Sequence, residues 1–266
     1  MARRLRLDTE LVRRGLARSR EQAADLIAAG RVVVAGQTAG KAASQVGQDA
    51  AIVVEGSERG EEYASRGGRK LEGALAAFPD LVVARRRCLD AGASTGGFTD
   101  VLLRAGAAQV VAVDVGYGQL AWALRTDPRV TVLDRVNVRQ LTPELVAPAP
   151  GLVTADLSFI SLVLVLPALV ACAAADADFL LLVKPQFEVG KGRVGAGGVV
   201  RDPAQREAAV AGVAAAAQQA GLGVRGIVAS PLPGPSGNVE YFLWLRRTAP
   251  PLDPAALRRA ITEGPQ

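Results

Sequence analysis

The chain contains no histidine, so proton transfer falls to lysine, carboxylate, tyrosine or cysteine side chains. Four charged residues stand out by position. Lys70 precedes the first apolar strand pattern, Asp156 and Lys184 each close a later one, and Glu240 lies in Gly237-Asn238-Val239-Glu240-Tyr241. A free lysine, with a pKa of about 10.4, is too protonated near neutrality to act as a base. A second ammonium group and partial desolvation bring catalytic lysines down to about 7–8. Two amines and two carboxyl groups on one rim could therefore activate a weak nucleophile such as a hydroxyl. Taken singly, each of the four reads better as an ordinary surface charge.

A second constellation concerns a bound ligand. Leu89-Asp90-Ala91-Gly92-Ala93-Ser94-Thr95-Gly96-Gly97-Phe98-Thr99 reads as a strand, a glycine-rich turn and a helix start. Glycines let backbone approach a ligand closely, and an acidic residue after the next strand, here Asp114, can hold a ribose diol. A dinucleotide site needs G-x-G-x-x-G with a helix start facing pyrophosphate. Here Gly92 and Gly96 are four apart, and Asp90 would oppose a phosphate. An acidic strand end suits a cationic ligand instead, such as the sulfonium and amine of S-adenosylmethionine.

The elements that must position these groups read as an alternating pattern. Strands are expected over Arg87 to Asp90, Val110 to Asp114, Val130 to Asp134, Leu152 to Asp156 and Phe179 to Lys184, with helical stretches between them. The Ala-rich run Pro203 to Ala220 is the clearest helix. This spacing predicts an α/β fold, a doubly wound parallel sheet whose charged strand ends converge on one rim. Ahead of it, Asp8 to Val34 reads as two short helices and a strand. Ser19 and Gln22 have capping-box spacing, Gly30 stops the second helix, a turn follows at Ala35-Gly36-Gln37, and a short strand covers Ala51 to Glu55. The expected division is residues 1–57, a polar linker 58–66, a large domain 67–248 and a tail 249–266 with one helix over Ala255 to Ile261.

Composition narrows the partners. Lys and Arg outnumber Asp and Glu by 31 to 26, and Arg3, Arg4, Arg6, Arg13, Arg14, Arg18 and Arg20 crowd the first twenty residues. On a helix they would form a broad cationic face suited to phosphates, or simply a solvated basic surface. Cys88 and Cys172 lie far apart without ligand spacing, so no metal site is expected. The basic N-terminus lacks the apolar run of a signal peptide, and a cytoplasmic location is expected. From Leu157 to Ala175 there is no charged residue, but Pro167 interrupts the run and a buried helix accounts for it better than a membrane span. Phe187, Phe242 and Trp244 read as core.

Three family resemblances follow. LVRRGLARSREQAADLIAAGRVVVAGQ resembles the "S-four" RNA-binding domain. That likeness implies that Arg13, Arg14, Arg18, Arg20 and Arg31 contact phosphates, joined by Arg3, Arg4, Arg6 and Arg66. Arg69, Lys191, Arg193 and Arg201 would extend the track. The glycine turn resembles the D-x-G-x-x-x-G-G motif of class I methyltransferases, which use S-adenosyl-L-methionine. It implies that Asp90, Gly92, Ser94, Gly96 and Phe98 lie on the methionine and ribose side. Asp114 would hold the ribose hydroxyls, and Asp134-Arg135-Val136-Asn137 would run along the adenine. Lys70, Asp156, Lys184 and Glu240 match in order the tetrad of FtsJ-like ribose 2′-O-methyltransferases. The likeness makes Lys184 the base, with Lys70 lowering its pKa, Asp156 orienting it and Glu240 holding Lys70.

SRGGRKLEGAL, CLDAGASTGGFTDVLL, DVGYGQLAW, ADLSFISL, VKPQFEVGK and SPLPGPSGNVEYFLWL together are similar to the TlyA family, from about Arg3 to Leu245. That family 2′-O-methylates cytidines in ribosomal RNA. The Arg-rich start and the tail after Pro250 resemble its longer members, which imply both ribosomal subunits as targets. The linker departs from the family pattern, with Glu62-Tyr63-Ala64 where an Arg-Ala-Trp-Val-like tetrapeptide stands. Members are also known as haemolysins, which leaves a membrane-active protein as the alternative function.

Overall fold

The computed structural model describes residues 4–14, 16–17, 20–47, 50, 52–54, 63–190, 194–234 and 236–264, with backbone alone at Arg4 and Ala196. The chain divides into two units, Met1–Glu62 and Tyr63–Gln266.

In the first unit, strand β1 (Arg4–Arg6) leads into α1 (Leu7–Arg13), followed by α2 (Arg20–Ala28) and the short strands β2 (Val32–Val34), β3 (Gln37–Thr38), β4 (Gln45–Gly47) and β5 (Ile52–Val54). β1 pairs with β4, and β2 lies between β3 and β5, all antiparallel. Leu7, Leu11, Ala23, Ile27, Val32, Val46 and Val54 form its core. The predicted turn falls between β2 and β3. The early arginines, however, do not share one helix, because Arg4 and Arg6 lie on a strand and Arg13 ends a seven-residue helix. Ser19 and residues 55–62, including most of the expected linker, lie outside the described residues.

The second unit begins with α3 (Gly67–Ala77), then alternates β6 (Arg87–Ala91), α4 (Gly97–Arg104), β7 (Gln109–Asp114), α5 (Trp122–Arg125), β8 (Val130–Asp134), α6 (Pro143–Val146), β9 (Leu152–Ala155), α7 (Leu162–Cys172), β10 (Asp178–Val183) and α8 (Pro185–Glu188). It closes with α9 (Pro203–Gln219), β11 (Gly223–Ala229), β12 (Tyr241–Arg246) and α10 (Pro254–Glu263). One sheet runs β11-β12-β10-β9-β6-β7-β8. The five strands from β10 to β8 are parallel, and β12 is inserted antiparallel between β10 and β11. Strands buried on both faces explain why their sequences are continuous apolar runs rather than alternating ones. β10, for example, is DFLLLV and buried at every position.

Helix starts follow local chemistry. Asp202 caps α9 by accepting from Ala204 N, with Pro203 at the first helical position. The uncharged run resolves into α7, capped by Ser161 and burying Leu162, Val165, Leu166, Leu169 and Cys172. Among the described residues no helix is long and apolar enough to cross a membrane. The tail carries the expected helix, α10. Leu257 and Ile261 bury α10 in the core shared with α9 and β11. Phe242 and Trp244 are core residues, as read from sequence, whereas Phe187 is half-buried against Phe159.

Candidate active site

Strand order reverses between β6 and β9, because the chain runs outward through β7 and β8 before returning to β6's other side. In open α/β sheets that reversal leaves a crevice beyond the carboxyl ends of the strands. A cavity of about 420 Å³ lies there, within the usual range for small ligands. Gly92, Ser94, Asp114, Asn137 and Asp156 supply its polar lining, and Val136, Val138, Leu157, Ile160 and Val165 its apolar wall.

Two glycines shape the turn. Gly92 has φ +87°, and a Cβ there would stand 2.6 Å from the Asp156 carbonyl oxygen, which is backbone and cannot yield. Gly96 has φ +99°, and its Cβ would strike the Leu124 side chain. Asp114 accepts hydrogen bonds from the backbone N–H of Ser94 at 2.8 Å and of Gly116 at 2.7 Å. Those bonds fix its carboxylate at the cavity wall. Asn137 caps a short turn by accepting from Arg139 N at 3.0 Å. A fixed carboxylate, a neighbouring amide and an apolar slot fit a nucleoside, as the glycine-turn likeness requires of S-adenosylmethionine.

Three residues expected on that ligand do not line the cavity. Phe98 turns into the core, 3% exposed and stacked on Phe242. Gly96 packs behind the turn on Leu120 and Leu124. Asp90 is fully buried, accepting from Thr99 Oγ1 at 2.6 Å, and burial pushes its carboxyl up to about 7. It braces the turn from behind, between β6 and α4. Asp134 likewise faces Arg125 at 2.6 Å, and Arg135 lies over the Tyr117 ring. The Arg125 hydrogen bond holds the Asp134 carboxyl below the usual carboxylate range.

The four distant charges occupy one rim as two ion pairs. Asp156 follows β9 and Lys184 follows β10, which are parallel, so both emerge at the same end. Val183 lies opposite Tyr241 in the antiparallel β10–β12 pair, so Glu240 lies at the same end as Lys184. Lys184 Nζ lies 2.6 Å from Asp156 Oδ1 and donates to Ser158 Oγ at 3.0 Å. Lys70, one turn into α3, donates to Glu240 Oε2 at 2.5 Å. Lys70, Lys184 and Glu240 are all buried. The start of α3 abuts the same site, since a Cβ on Gly67 would stand 3.8 Å from Asp156 Oδ2. α3 reaches this position because glycines let two helix starts approach, and a Cβ on Gly97 would sit 2.8 Å from Gly68 N. Among the described residues no cluster of three or more Cys, Asp or Glu side chains could hold a metal ion.

The arginines of the first unit are organised by two buried carboxylates. Arg6 and Arg20 both pair with Asp8, and Arg13 and Arg14 both pair with Glu10. The Arg6 hydrogen bond holds Asp8 far below the usual carboxylate range, and the Arg13 bond brings Glu10 to about 2. The expected open cationic face is thus partly neutralised, with a positive surplus left on a fixed scaffold. Arg31 is half-buried, and Arg66 and Arg69 are exposed. Arg3, Arg18, Lys191 and Arg193, with the side chain of Arg4, lie outside the described residues.

The sequence reading missed Ser158, Gln119 and Phe159. Gln119 lines the cavity and bonds Ser94 Oγ at 3.4 Å. Phe159 stands 92% exposed at the cavity's edge with φ +63°, an unusual backbone angle for a bulky residue. Only the strings ADLSFISL, adjoining Asp156 and holding Ser158 and Phe159, and DVGYGQLAW, adjoining Asp114 and holding Gln119, could have drawn attention to them. Of the expected linker, Tyr63 and Ala64 belong to the second unit. Tyr63 donates to Glu72 at 2.7 Å and stacks under Arg104, and Ala64 N donates to Asp100 at 2.9 Å.

Residues 63–247 match the FtsJ-like methyltransferase family, and residues 5–52 match the S4 domain. The 16S/23S rRNA (cytidine-2′-O)-methyltransferase TlyA of Mycobacterium tuberculosis is 62% identical over 272 residues, covering 100% of both chains. Hemolysin A of Brachyspira hyodysenteriae is 37% identical over 90% of this chain and 98% of its own. A solved structure from Streptococcus thermophilus is 38% identical, covers 99% of this chain and 96% of that one, and superposes with a TM-score of 0.74.

Proposed function

The chain belongs to the FtsJ-like methyltransferases and, among them, to the TlyA family; on that premise we propose that it methylates the ribose 2′-hydroxyl of cytidines in the ribosomal RNA of both subunits. S-adenosyl-L-methionine supplies, when bound, an electrophilic methyl group on a positively charged sulfur. Gly92, Ser94, Asp114 and Asn137 would hold it, with Asp114 on the ribose hydroxyls and Val136 and Val138 beside the base. Lys184 is the base: its amine would accept the 2′-hydroxyl proton, so that the oxygen could take the methyl group while the methyl–sulfur bond breaks to leave a neutral thioether. Asp156 orients Lys184 and favours the ammonium formed. Lys70, held by Glu240, positions the ribose. The rest of the barrier is met by alignment, which needs no covalent intermediate.

Residues 1–57 serve as the RNA-binding module and 67–248 as the methyltransferase domain, joined by 58–66. The arginines held on Asp8 and Glu10 supply phosphate contacts. A ribosomal substrate implies a cytoplasmic protein.

The observation that carries this reading is the pairing of Lys184 with Asp156 and of Lys70 with Glu240 beside the cavity that holds Asp114. The test is labelled methyl transfer to purified ribosomal subunits, with the modified position mapped by primer-extension stops. Lys184→Ala should slow transfer by about 10²–10⁴-fold, the usual worth of a general base, while still binding S-adenosylmethionine. Full transfer by that variant would overturn the assignment. The name of the Brachyspira relative raises a lytic activity; dye release from phospholipid vesicles by the purified protein would be its sign.

A further inference from the structure

The tetrad leaves out a third carboxylate that joins the two loops carrying Asp156 and Lys184. α7 is an eleven-residue apolar helix with no acidic residue in its own first turn. Its first amides need acceptors and favour negative charge nearby. Ser161 accepts from Val163 N. The acceptor for Leu162 N comes from a different element, α8. Glu188, at the end of α8, accepts from Leu162 N at 2.8 Å and from Ser161 Oγ at 2.5 Å.

The consequence lies in what each loop carries. The β9–α7 loop bears Asp156, Ser158 and Phe159, the turn out of β10 bears Lys184, and α8, which starts directly after it, bears Phe187 and Glu188. They meet at three places in succession. Lys184 pairs with Asp156 and bonds Ser158 at the site, Phe159 and Phe187 lie 5.2 Å apart between centroids, and Glu188 joins Ser161 and Leu162 at the far end. α8 is only four residues long, so Lys184 and Glu188 are separated by a single turn of backbone. A shift of Glu188 therefore passes to Lys184 with little slack.

We propose that Glu188 is a positioning residue for methyl transfer, fastening the Lys184 loop to the Asp156–Ser158 loop so that the amine stands at reacting distance from the hydroxyl. The inference rests on the assignment of Lys184 as base. Burial raises the Glu188 carboxyl above the ordinary glutamate range, so a neutral group is tolerated there. A glutamine can accept from Leu162 N through its oxygen and donate to Ser161 through its amide, preserving the bridge.

The experiment compares single-turnover methyl transfer to ribosomal subunits, affinity for S-adenosylmethionine, affinity for the subunits, and melting temperature. Glu188→Ala should lower the rate about ten- to a hundredfold, the cost of a misplacement near 1 Å, with both affinities unchanged within about threefold. Glu188→Gln should recover to within about threefold of wild type. Asp253→Ala serves as the stability control, because Asp253 caps α10 by accepting from Ala255 N and Ala256 N. It should lower the melting temperature comparably without slowing transfer. The proposal is overturned if Glu188→Ala keeps its rate, if Glu188→Gln is as slow as the alanine variant, or if Asp253→Ala slows transfer equally. A fully active Lys184→Ala would instead sink the base assignment, whereas an inactive Lys184→Ala beside a normal Glu188→Ala sinks only the fastening.

Discussion

Replacing Lys70 by methionine should damage the protein in two separable ways. The Lys70 and Glu240 side chains are 6% and 0% exposed and meet at 2.5 Å. Glu240 Oε1 is buried without a hydrogen-bond partner among the described residues, and Gly234 packs against it so tightly that a Cβ there would stand 2.5 Å away. Removing the lysine leaves a carboxylate with no compensating charge, and breaking a buried pair in this way costs about 3–5 kcal/mol. An independent limit agrees: protonating an ordinary glutamate of pKa about 4.3 at pH 7 costs about 3.7 kcal/mol. For a domain of this size each kcal/mol lowers the melting temperature by about 2–4 °C. Lys70→Met should therefore melt roughly 6–20 °C below wild type at pH 7. The deficit should shrink by about 1.4 kcal/mol for each unit the pH is lowered toward 5, as the stranded carboxylate takes up a proton. The double variant Lys70→Met/Glu240→Met should regain most of the lost stability, because a buried pair exchanged for apolar side chains of similar volume is often neutral or stabilising. It should nonetheless transfer no methyl group. Differential scanning calorimetry across pH, with methyl transfer on the same samples, makes the check. A Lys70→Met protein melting within about 2 °C of wild type would refute the reasoning, since a solvated pair has that signature.

Two further outcomes are expected. Burial raises the folded-state carboxyl of Asp90 from 3.8 to about 7, so the folded protein holds a proton that the unfolded chain releases, and wild-type stability declines from about pH 4 to pH 7. Asp90→Asn, which still accepts from Thr99, escapes that decline: calorimetry should show a difference near zero at pH 4 that grows to roughly 4 kcal/mol at most by pH 7–8, and a pH-independent difference would contradict it. Gly92→Ala sets a Cβ against the Asp156 carbonyl at a left-handed backbone angle, and isothermal titration should show S-adenosylmethionine affinity reduced more than a hundredfold with the fold retained.

The parallel sheet was legible because its central strands are buried on both faces, which leaves apolar runs closed by charged residues. Asp156 and Lys184 could be placed on the rim for that reason, and Glu240 from its string. What escaped were contacts between loops that carry no pattern of their own. Glu188 sits four residues beyond Lys184 and looks like any helix-end acid, yet its partners are Ser161 and Leu162, 27 and 26 residues away. The arginines misled in the opposite direction. Counting them predicts an open cationic helix, whereas Asp8 and Glu10, two acids among seven arginines, gather four of them by burial that composition cannot register. Asp90 was read as a ligand contact because it closes a strand. Its neighbour Thr99, nine residues on, turns it inward instead.

The insertion of β12 between β10 and β11 has a consequence for the order of events during synthesis. Lys70 leaves the ribosome early and waits 170 residues for Glu240, by which time almost every other strand has been made. Contacts so remote in sequence form slowly, because the intervening chain must be looped out before they are rewarded. A nascent chain can therefore shape the cavity beside Gly92 and Asp114 from β6, β7 and β9 while Lys70 still lacks its carboxylate partner. The Lys70–Glu240 pair is completed only with the last strand, β12.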